Sequence, residues 1–508
     1  MSREQRALFS LNDTSDADCF AEELIRCGWN IIASSETVEL LGQKGLPVQD
    51  IADFTGVHED YGFPPTMHAK VEYALTRTSE ISIDLVYVIP YPLAMGNDVG
   101  GRTLLALAAK GGRIPVMCVE DMMLVVAAIR ETGEIPEEMR MDLVNKTCYE
   151  IAKHYFSLIS DWEKYDVISG RFAYSLMNGE NPYQVPASVF KVSTEDTLAL
   201  TNFKQLSGEA PCFTNIADAD CILNTLCLAA EAFRLNSGSV PYLCVAAKHG
   251  NACGMGVSNT SPTDALDKAL FGNPRSIWGG EIITNFPVDG KLAEAMLKSR
   301  RRENLLGSGY WMLDIIMAPS FTIDAISIMS NRKERKLLAN EVLADPFISK
   351  SGFVYRSVRG GFLRQPPPSY ILNIKECTLK GKMFSENEIP SLIVAWAVAF
   401  SSNHGGNEVV LSKDGILLAS GGGPSTVEAA RVAVTRAKEC GHEIEGAAFA
   451  ADAFFPYTDA PSILCDAGVT MGCVPAGGKR ETDIQNFFHE HGISVAYLQQ
   501  NIRGFCRH

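Results

Sequence analysis

No Cys-x-x-Cys occurs among the 14 cysteines of this 508-residue chain. A disulfide framework or a paired-thiolate metal site needs recurrent spacings, so neither is expected, and the scattered thiols point to a reducing, cytoplasmic setting. The N-terminus has no charged-then-apolar leader, which argues against secretion. Long hydrophobic runs are missing as well. The longest, Leu392 to Phe400, is too short to span a bilayer and reads as a buried helix, so no membrane partner is expected. Positive charge is scarce, with 45 Lys and Arg against 60 Asp and Glu and a net charge of −15. Phosphate contacts need clustered cations, so nucleic acid is not an expected partner. The densest basic run, Lys298 to Arg302, reads as a solvated helix face. The zinc signature is missing too: no His-x-Glu is paired with Pro-Cys-x-x-Cys, and His489-Glu490-His491 lacks partners at ligand spacing. No catalytic metal is expected.

What is present is a soluble α/β pattern, 46% hydrophobic and long enough for two to four domains. Apolar runs at residues 5–11, 30–33, 83–89 and 115–119 alternate with helical patterns through Phe20, Leu24 and Ile25, at 37–45, around 104–110 and from Glu120. That alternation predicts a doubly wound parallel sheet. The charged stretch Asp161 to Asp166 reads as a helix end and linker, giving domains 1–165 and 166–508. The Gly421-Gly422-Gly423-Pro424-Ser425-Thr426 run lacks the Gly-Lys-Ser/Thr ending of a phosphate loop and predicts a tight turn before a helix at Val427.

The chemistry concentrates at Val245-Ala246-Ala247-Lys248-His249-Gly250-Asn251-Ala252-Cys253-Gly254. A small-residue strand runs into a cation, an imidazole and a glycine-bounded turn. In acyl transfer an amine must lose a proton while an oxyanion or leaving nitrogen needs positive charge or a proton. His can take the first and Lys supply the second. Alone, a Lys-His dipeptide is usually a solvated strand end.

Its company decides otherwise. Lys248-His249-x-Asn251-x-Cys253-Gly254, Ser276-Ile277-Trp278-Gly279-Gly280 and Ala451-Asp452-Ala453-Phe454-Phe455-Pro456-Tyr457-x-Asp459 resemble, in order, motifs of the bifunctional purine enzyme family AICAR transformylase/IMP cyclohydrolase. The resemblance runs nearly end to end. It implies an N-terminal methylglyoxal-synthase-like domain, a larger transformylase region of two cytidine-deaminase-like subdomains, a homodimer, and transfer of a formyl group from 10-formyltetrahydrofolate to a small-molecule amine. The roles it implies are His249 as proton acceptor, Lys248 as stabiliser of the oxyanion or the departing folate nitrogen, and Asn407 as holder of the formyl oxygen. Asn215, in Phe213-Thr214-Asn215-Ile216-x-Asp218-Ala219-Asp220, and Asp314 would position the acceptor, and Arg503 would bind its phosphate. Trp278, Phe454, Pro456 and Asp459 would line the folate pocket. Arg359-Gly360-Gly361-Phe362-Leu363-x-Gln365 is also shared.

The departures are as specific as the matches. In the N-terminal region Tyr91, Asp98 and Lys110 fall on the family's active-site positions. The phosphate loop Ser-Asp-Lys-Thr-Gly, however, is here Asn12-Asp13-Thr14-Ser15-Asp16, and Ser-Gly-Gly-Thr is Ser34-Ser35-Glu36-Thr37. The segment that supplies the catalytic lysine is Phe63-Pro64-Pro65-Thr66-Met67-His68. Bulk and negative charge replace glycines and cations where an anion should bind, so cyclohydrolase activity is expected to be lost. A second phosphate-binding Arg and its Tyr are Met177 and Asn178, which Met cannot imitate, leaving Arg171 as a conceivable substitute. Three readings stay open: a formyltransferase for AICAR or an analogue, a paralogue formylating another amine in secondary metabolism, and a non-catalytic folate- or nucleotide-binding scaffold.

Overall fold

The computed structural model describes residues 3–59, 64–92, 96–161, 163–192, 194–350 and 352–507. Its internal contacts divide it into two compact units, Met1–Ser169 and Gly170–His508.

In the first unit, apolar runs covered on both faces form β1 (Arg6–Leu11), β2 (Asn30–Ala33), β3 (Val48–Asp50), β4 (Leu85–Ile89) and β5 (Ile114–Val116). All pair in parallel, in the order β3-β2-β1-β4-β5. This is the doubly wound sheet expected, and its order reverses beside β1, where such sheets open a crevice. Alternation along β1 and β4 sends Phe9 and Tyr87 into one helix layer and Leu8, Val86 and Val88 into the other. The helix Glu137–Ser157, together with β3 and two short helices at Ile51–Thr55 and Ala69–Thr76, was not legible as an alternating pattern. Because that long helix stops at Ser157, the charged residues from Asp161 follow a helix rather than end one. Trp162 lies outside the described residues.

The second unit uses one motif twice. After a hairpin of β6 (Arg171–Leu176) and β7 (Ala187–Lys191) come β8 (Lys204–Ser207), β9 (Tyr242–Lys248), β10 (Asn251–Ser258), β11 (Gly280–Thr284), β12 (Leu313–Ala318) and β13 (Lys336–Ala339). A second hairpin, β14 (Val354–Val358) and β15 (Gly361–Gln365), precedes β16 (Thr378–Lys380), β17 (Asn407–Lys413), β18 (Ile416–Gly423), β19 (Ala448–Ala451), β20 (Met471–Pro475) and β21 (Ser494–Leu498). Twelve of these make one sheet, β16-β21-β20-β19-β17-β18-β10-β9-β11-β12-β13-β8. The order is palindromic. Each copy contributes an edge strand, a long helix, a hairpin, a second helix and three parallel strands, and the copies meet where β10 runs antiparallel to β18. The two long helices, Phe213–Ser237 and Ile389–Ala399, share one core layer on the sheet. Ser391 to Ala399 are all buried, as the apolar run predicted. Among the described residues no helix is long and apolar enough to cross a membrane.

Two local readings are corrected. Gly421 to Gly423 belong to β18, and the turn before the helix falls on Pro424-Ser425 instead. A side-chain carbon on Gly421 would lie 2.3 Å from the Ala433 nitrogen, so the glycines let the helix Thr426–Glu439 press onto the strand. In the basic run at 298–302, Lys298, Arg300 and Arg301 are exposed as expected, and Arg302 departs from that reading. Arg302 is 5% exposed, donates to the Ser308 carbonyl oxygen at 2.6 Å, and lies 4.7 Å and 5.3 Å from the Trp311 and Trp278 rings. Its guanidinium stacks on indole faces, which a planar, weakly hydrated cation permits.

Candidate active site

β9 ends at Lys248, and Asn251 pairs with it across a two-residue turn in which His249 has φ 54° and Gly250 φ 65°. Two left-handed residues in a two-residue hairpin loop make a type I′ turn, whose twist suits the flanking strands. Left-handed backbone is uncommon for residues other than glycine, although histidine accepts it more readily than most, and the hairpin fixes it here. Asn251 secures the turn. Its Nδ2 donates to the His249 and Asn403 carbonyl oxygens, both at 3.2 Å, and its Oδ1 accepts from the Asn403 nitrogen at 2.8 Å and Arg507 Nη2 at 3.1 Å. Arg507 also donates to the Gly250 oxygen at 3.0 Å. The tail and the second copy of the motif thus brace the turn of the first.

Strand direction explains why distant motifs meet. Lys248 lies at the carboxyl end of β9, and antiparallel pairing brings the amino ends of β10 and β11, and through β11 that of β12, to the same rim. Pairing of β10 with β18, β18 with β17 and β17 with β19 carries the rim across to Gly423, Asn407 and Ala451. β20 and β21 run parallel to β19, so the loops after them, including Arg503, leave from that rim as well. The duplicated hairpin turn, Lys413-Asp414-Gly415, has the same left-handed pair, φ 52° and 69°, but falls on the opposite rim, where Asp414 stands in the histidine's place.

Lys248 Nζ donates to the Gly279 carbonyl oxygen. Gly279 has φ 68°, and a side-chain carbon on it would lie 2.9 Å from Nζ and 4.0 Å from Asp314 Oδ2, so glycine is required there and Asp314 borders the same spot. Asn407 Nδ2 donates to the Gly423 oxygen at 3.3 Å. Asn215 is buried and its Oδ1 accepts the Cys212 nitrogen at 3.2 Å, closing a capping box on the helix Phe213–Ser237. The Phe454 ring rests on Gly477 and Gly478 with the Arg503 guanidinium 5.0 Å from its centre. Pro456 and Asp459 are exposed, and Asp459 Oδ1 accepts the Ala460 nitrogen at 2.8 Å. Trp278, 45% exposed, offers one indole face.

Sequence reasoning missed Glu281. It sits on β11 opposite Ala247, is 2% exposed, and its Oε2 accepts from no donor among the described residues. Burial first, then the neighbouring Asp218 carboxyl, pushes Glu281 up to about 9. The available signal was a lone carboxylate in the buried run Gly280-Glu281-Ile282-Ile283-Thr284. Among the described residues no three His, Cys, Asp or Glu side chains gather as a metal site.

The AICARFT/IMPCHase bienzyme family matches residues 113–436. The bifunctional purine biosynthesis protein PurH of Bacillus cereus (strain ATCC 10987 / NRS 248) is 30% identical over 97% of this chain and 98% of its own. That of Neisseria meningitidis serogroup A (strain Z2491) is 28% identical over 97% of each. The chain belongs to the AICARFT/IMPCHase bienzyme family. A solved structure titled "Crystal structure of ForH" is 27% identical over 30% of this chain and 96% of that one, with a TM-score of 0.28.

In the first unit, the segment that resembles the family's phosphate loop bonds to itself. Asp13 Oδ1 accepts the Ser15 nitrogen at 3.0 Å and the Ser15 hydroxyl at 2.6 Å, and those hydrogen bonds hold its carboxyl below the usual range. A backbone donor that could face an anion is turned onto a carboxylate. Glu36 is exposed in the first turn of the next helix; Phe63 and the Ser35 side chain lie outside the described residues. Asp98 caps the helix Val99–Lys110, accepting the Gly101 nitrogen at 2.7 Å and the Tyr91 nitrogen at 3.3 Å. Lys110, about 18 Å away along that helix, pairs with Glu72 at 3.4 Å on the surface. In the second unit, Met177 is 46% exposed, and Arg171 begins the strand that ends before it.

Proposed function

We propose that the second unit transfers a formyl group from 10-formyltetrahydrofolate to the amine of AICAR or a close analogue, and that the first unit has lost IMP cyclohydrolase activity. The observation that carries the reading is the Lys248-His249 turn, rigidly braced on the same rim as Asn407 and Asp314 in a member of this family. His249 accepts the proton that the attacking amine must shed. Lys248 places positive charge where the tetrahedral oxygen develops, and its bond to the Gly279 oxygen preorganises that charge. Asn407 is the amide donor for the formyl oxygen, and Asn215 and Asp314 orient the acceptor. The folate supplies the activated formyl group. The exposed face of Trp278 and the half-buried Phe454 ring, with exposed Pro456 and Asp459, suit a flat heterocycle bearing an amino-pyrimidine edge.

The self-satisfied loop at Asp13 and the surface pairing of Lys110 support loss of the cyclohydrolase. One observation favours a different acceptor. A cavity of about 560 Å³, lined by Gly179, Glu180, Gln184, Val185, Pro186, Ala187, Ser188 and Phe213, adjoins the helix that carries Asn215 and has no cation in its lining. An amine without a phosphate fits that lining better than a nucleotide does. A homodimer is part of the same proposal: Phe172, Phe190, Phe353, Phe362 and Leu363 leave apolar surface exposed on the two small hairpins. Mass analysis of products from AICAR and 10-formyltetrahydrofolate tests the reading. Formyl-AICAR should accumulate without IMP; appearance of IMP would restore the cyclohydrolase to the first unit.

A further inference from the structure

Glu281 and Asp218 approach the Lys248-His249 turn from two different elements. Glu281 projects from β11 beside Ala247, the residue before Lys248. Asp218 projects from the helix Phe213–Ser237, and a side-chain carbon on Gly250 would lie 3.2 Å from its Oδ1, so this carboxyl sits against the turn. The two carboxyls are within hydrogen-bonding reach of each other. Glu281 Oε2 has no other donor among the described residues. Two carboxylates cannot hydrogen-bond, and a buried acceptor without a donor is costly. The arrangement is satisfied only when one carboxyl carries a proton.

The surroundings decide which one. Asp218 faces His249, Lys248 and Arg507, three groups that favour its anion. Glu281 faces the cation Lys248, with Asp218, Asp314 and the thiol of Cys253 also turned towards it. We propose that Glu281 is a neutral carboxylic acid donating its hydrogen bond to the Asp218 carboxylate, and that this pair is the positioning element holding a single negative charge beneath Lys248 and His249. The inference rests on the formyl-transfer reading for its use. The single charge it sets lies beside the residue that accepts the amine proton, and Lys248 faces one carboxylate rather than two. Because the proton stays between the carboxyls, the pair adds no step to the reaction.

Infrared difference spectroscopy of the full-length protein, wild type minus Glu281→Gln, tests the proton directly. A carboxylic-acid carbonyl band is expected at pH 7 in the wild type, absent from the variant, and bleached in the wild type above about pH 9. No difference band at pH 7 would overturn the proposal. The charge is tested by ¹³C NMR of aspartate-carboxyl-labelled protein, with Asp218→Asn assigning the signal: the Asp218 carboxyl should show the shift of an anion at pH 7, and the shift of a protonated acid would overturn the pairing. With AICAR as acceptor, Glu281→Leu should lower kcat about tenfold with little change in KM, and Glu281→Gln should lose less, since its amide can still donate to Asp218. If the wild type does not turn over AICAR, the formyl-transfer reading falls, while the infrared and NMR results still decide the carboxyl pair.

Discussion

Lys248 Nζ is hydrogen-bonded to the carbonyl oxygen of Gly279, so the cation at the end of one strand is fixed by the loop that opens the next. This bond spans two of the motifs that the sequence displays separately, and it depends on the bare α-carbon of Gly279.

Gly279→Ala should therefore damage the site while leaving the fold. The added methyl would contact Nζ and also occupy a left-handed backbone, costing roughly 1 kcal/mol of stability. A small fall in Tm with a fall of about tenfold or more in kcat is expected; unchanged kcat would detach Lys248 from the chemistry.

His249→Asn separates backbone from imidazole. Asn tolerates the left-handed region better than other residues, so the hairpin should keep its stability, whereas His249→Val should lose it. Formyl transfer by His249→Asn should drop by about 10²–10⁴, the usual worth of a general base. Thermal melts and steady-state rates on the same preparations check both halves.

Arg302 supports Trp278 through its guanidinium. Arg302→Met should raise KM for 10-formyltetrahydrofolate with kcat nearly intact, since it removes the support behind the indole that receives the heterocycle. An effect on kcat alone would move Trp278 out of the folate pocket.

The buried Asp452 carboxyl predicts how stability follows pH. Burial, and after it the Glu408 charge, raise it from 3.8 to about 7, although the Glu408 backbone N–H opposes the shift. Between about pH 4 and pH 7 the folded chain holds a proton that the unfolded chain has released, so its contribution is present at low pH and is lost as pH rises through 7. Asp452→Asn should flatten that slope in denaturant titrations at pH 5 and pH 8.

How far the sequence could be read depended on what each residue needed to make sense. The parallel sheet of the first unit was legible because β1, β2 and β4 are apolar on both faces. The Lys248-His249 turn was legible because its strand and glycine are adjacent in the chain. Glu281 and Asp218 acquire meaning only when β11 and the helix Phe213–Ser237 are brought together, 63 positions apart in the chain. Arg302 looked solvated because its partners, Trp278 and Trp311, lie outside its own helix. The glycines of 421–423 imitated a turn because close packing and tight turning ask for the same residue.

Asp98 separates relic from function in the first unit. Asp98→Ala should cost about 1 kcal/mol through loss of a helix cap, and should leave formyl transfer by the second unit unchanged. Altered transfer would tie the two activities together.

The central claim is that the rim around Lys248 and His249 moves a formyl group. Absorbance at the tetrahydrofolate band, followed with 10-formyltetrahydrofolate and AICAR, tests it most directly when wild type and His249→Ala are run side by side. Release of tetrahydrofolate by the wild type that disappears in the variant is the predicted result. Equal release by both proteins would contradict it.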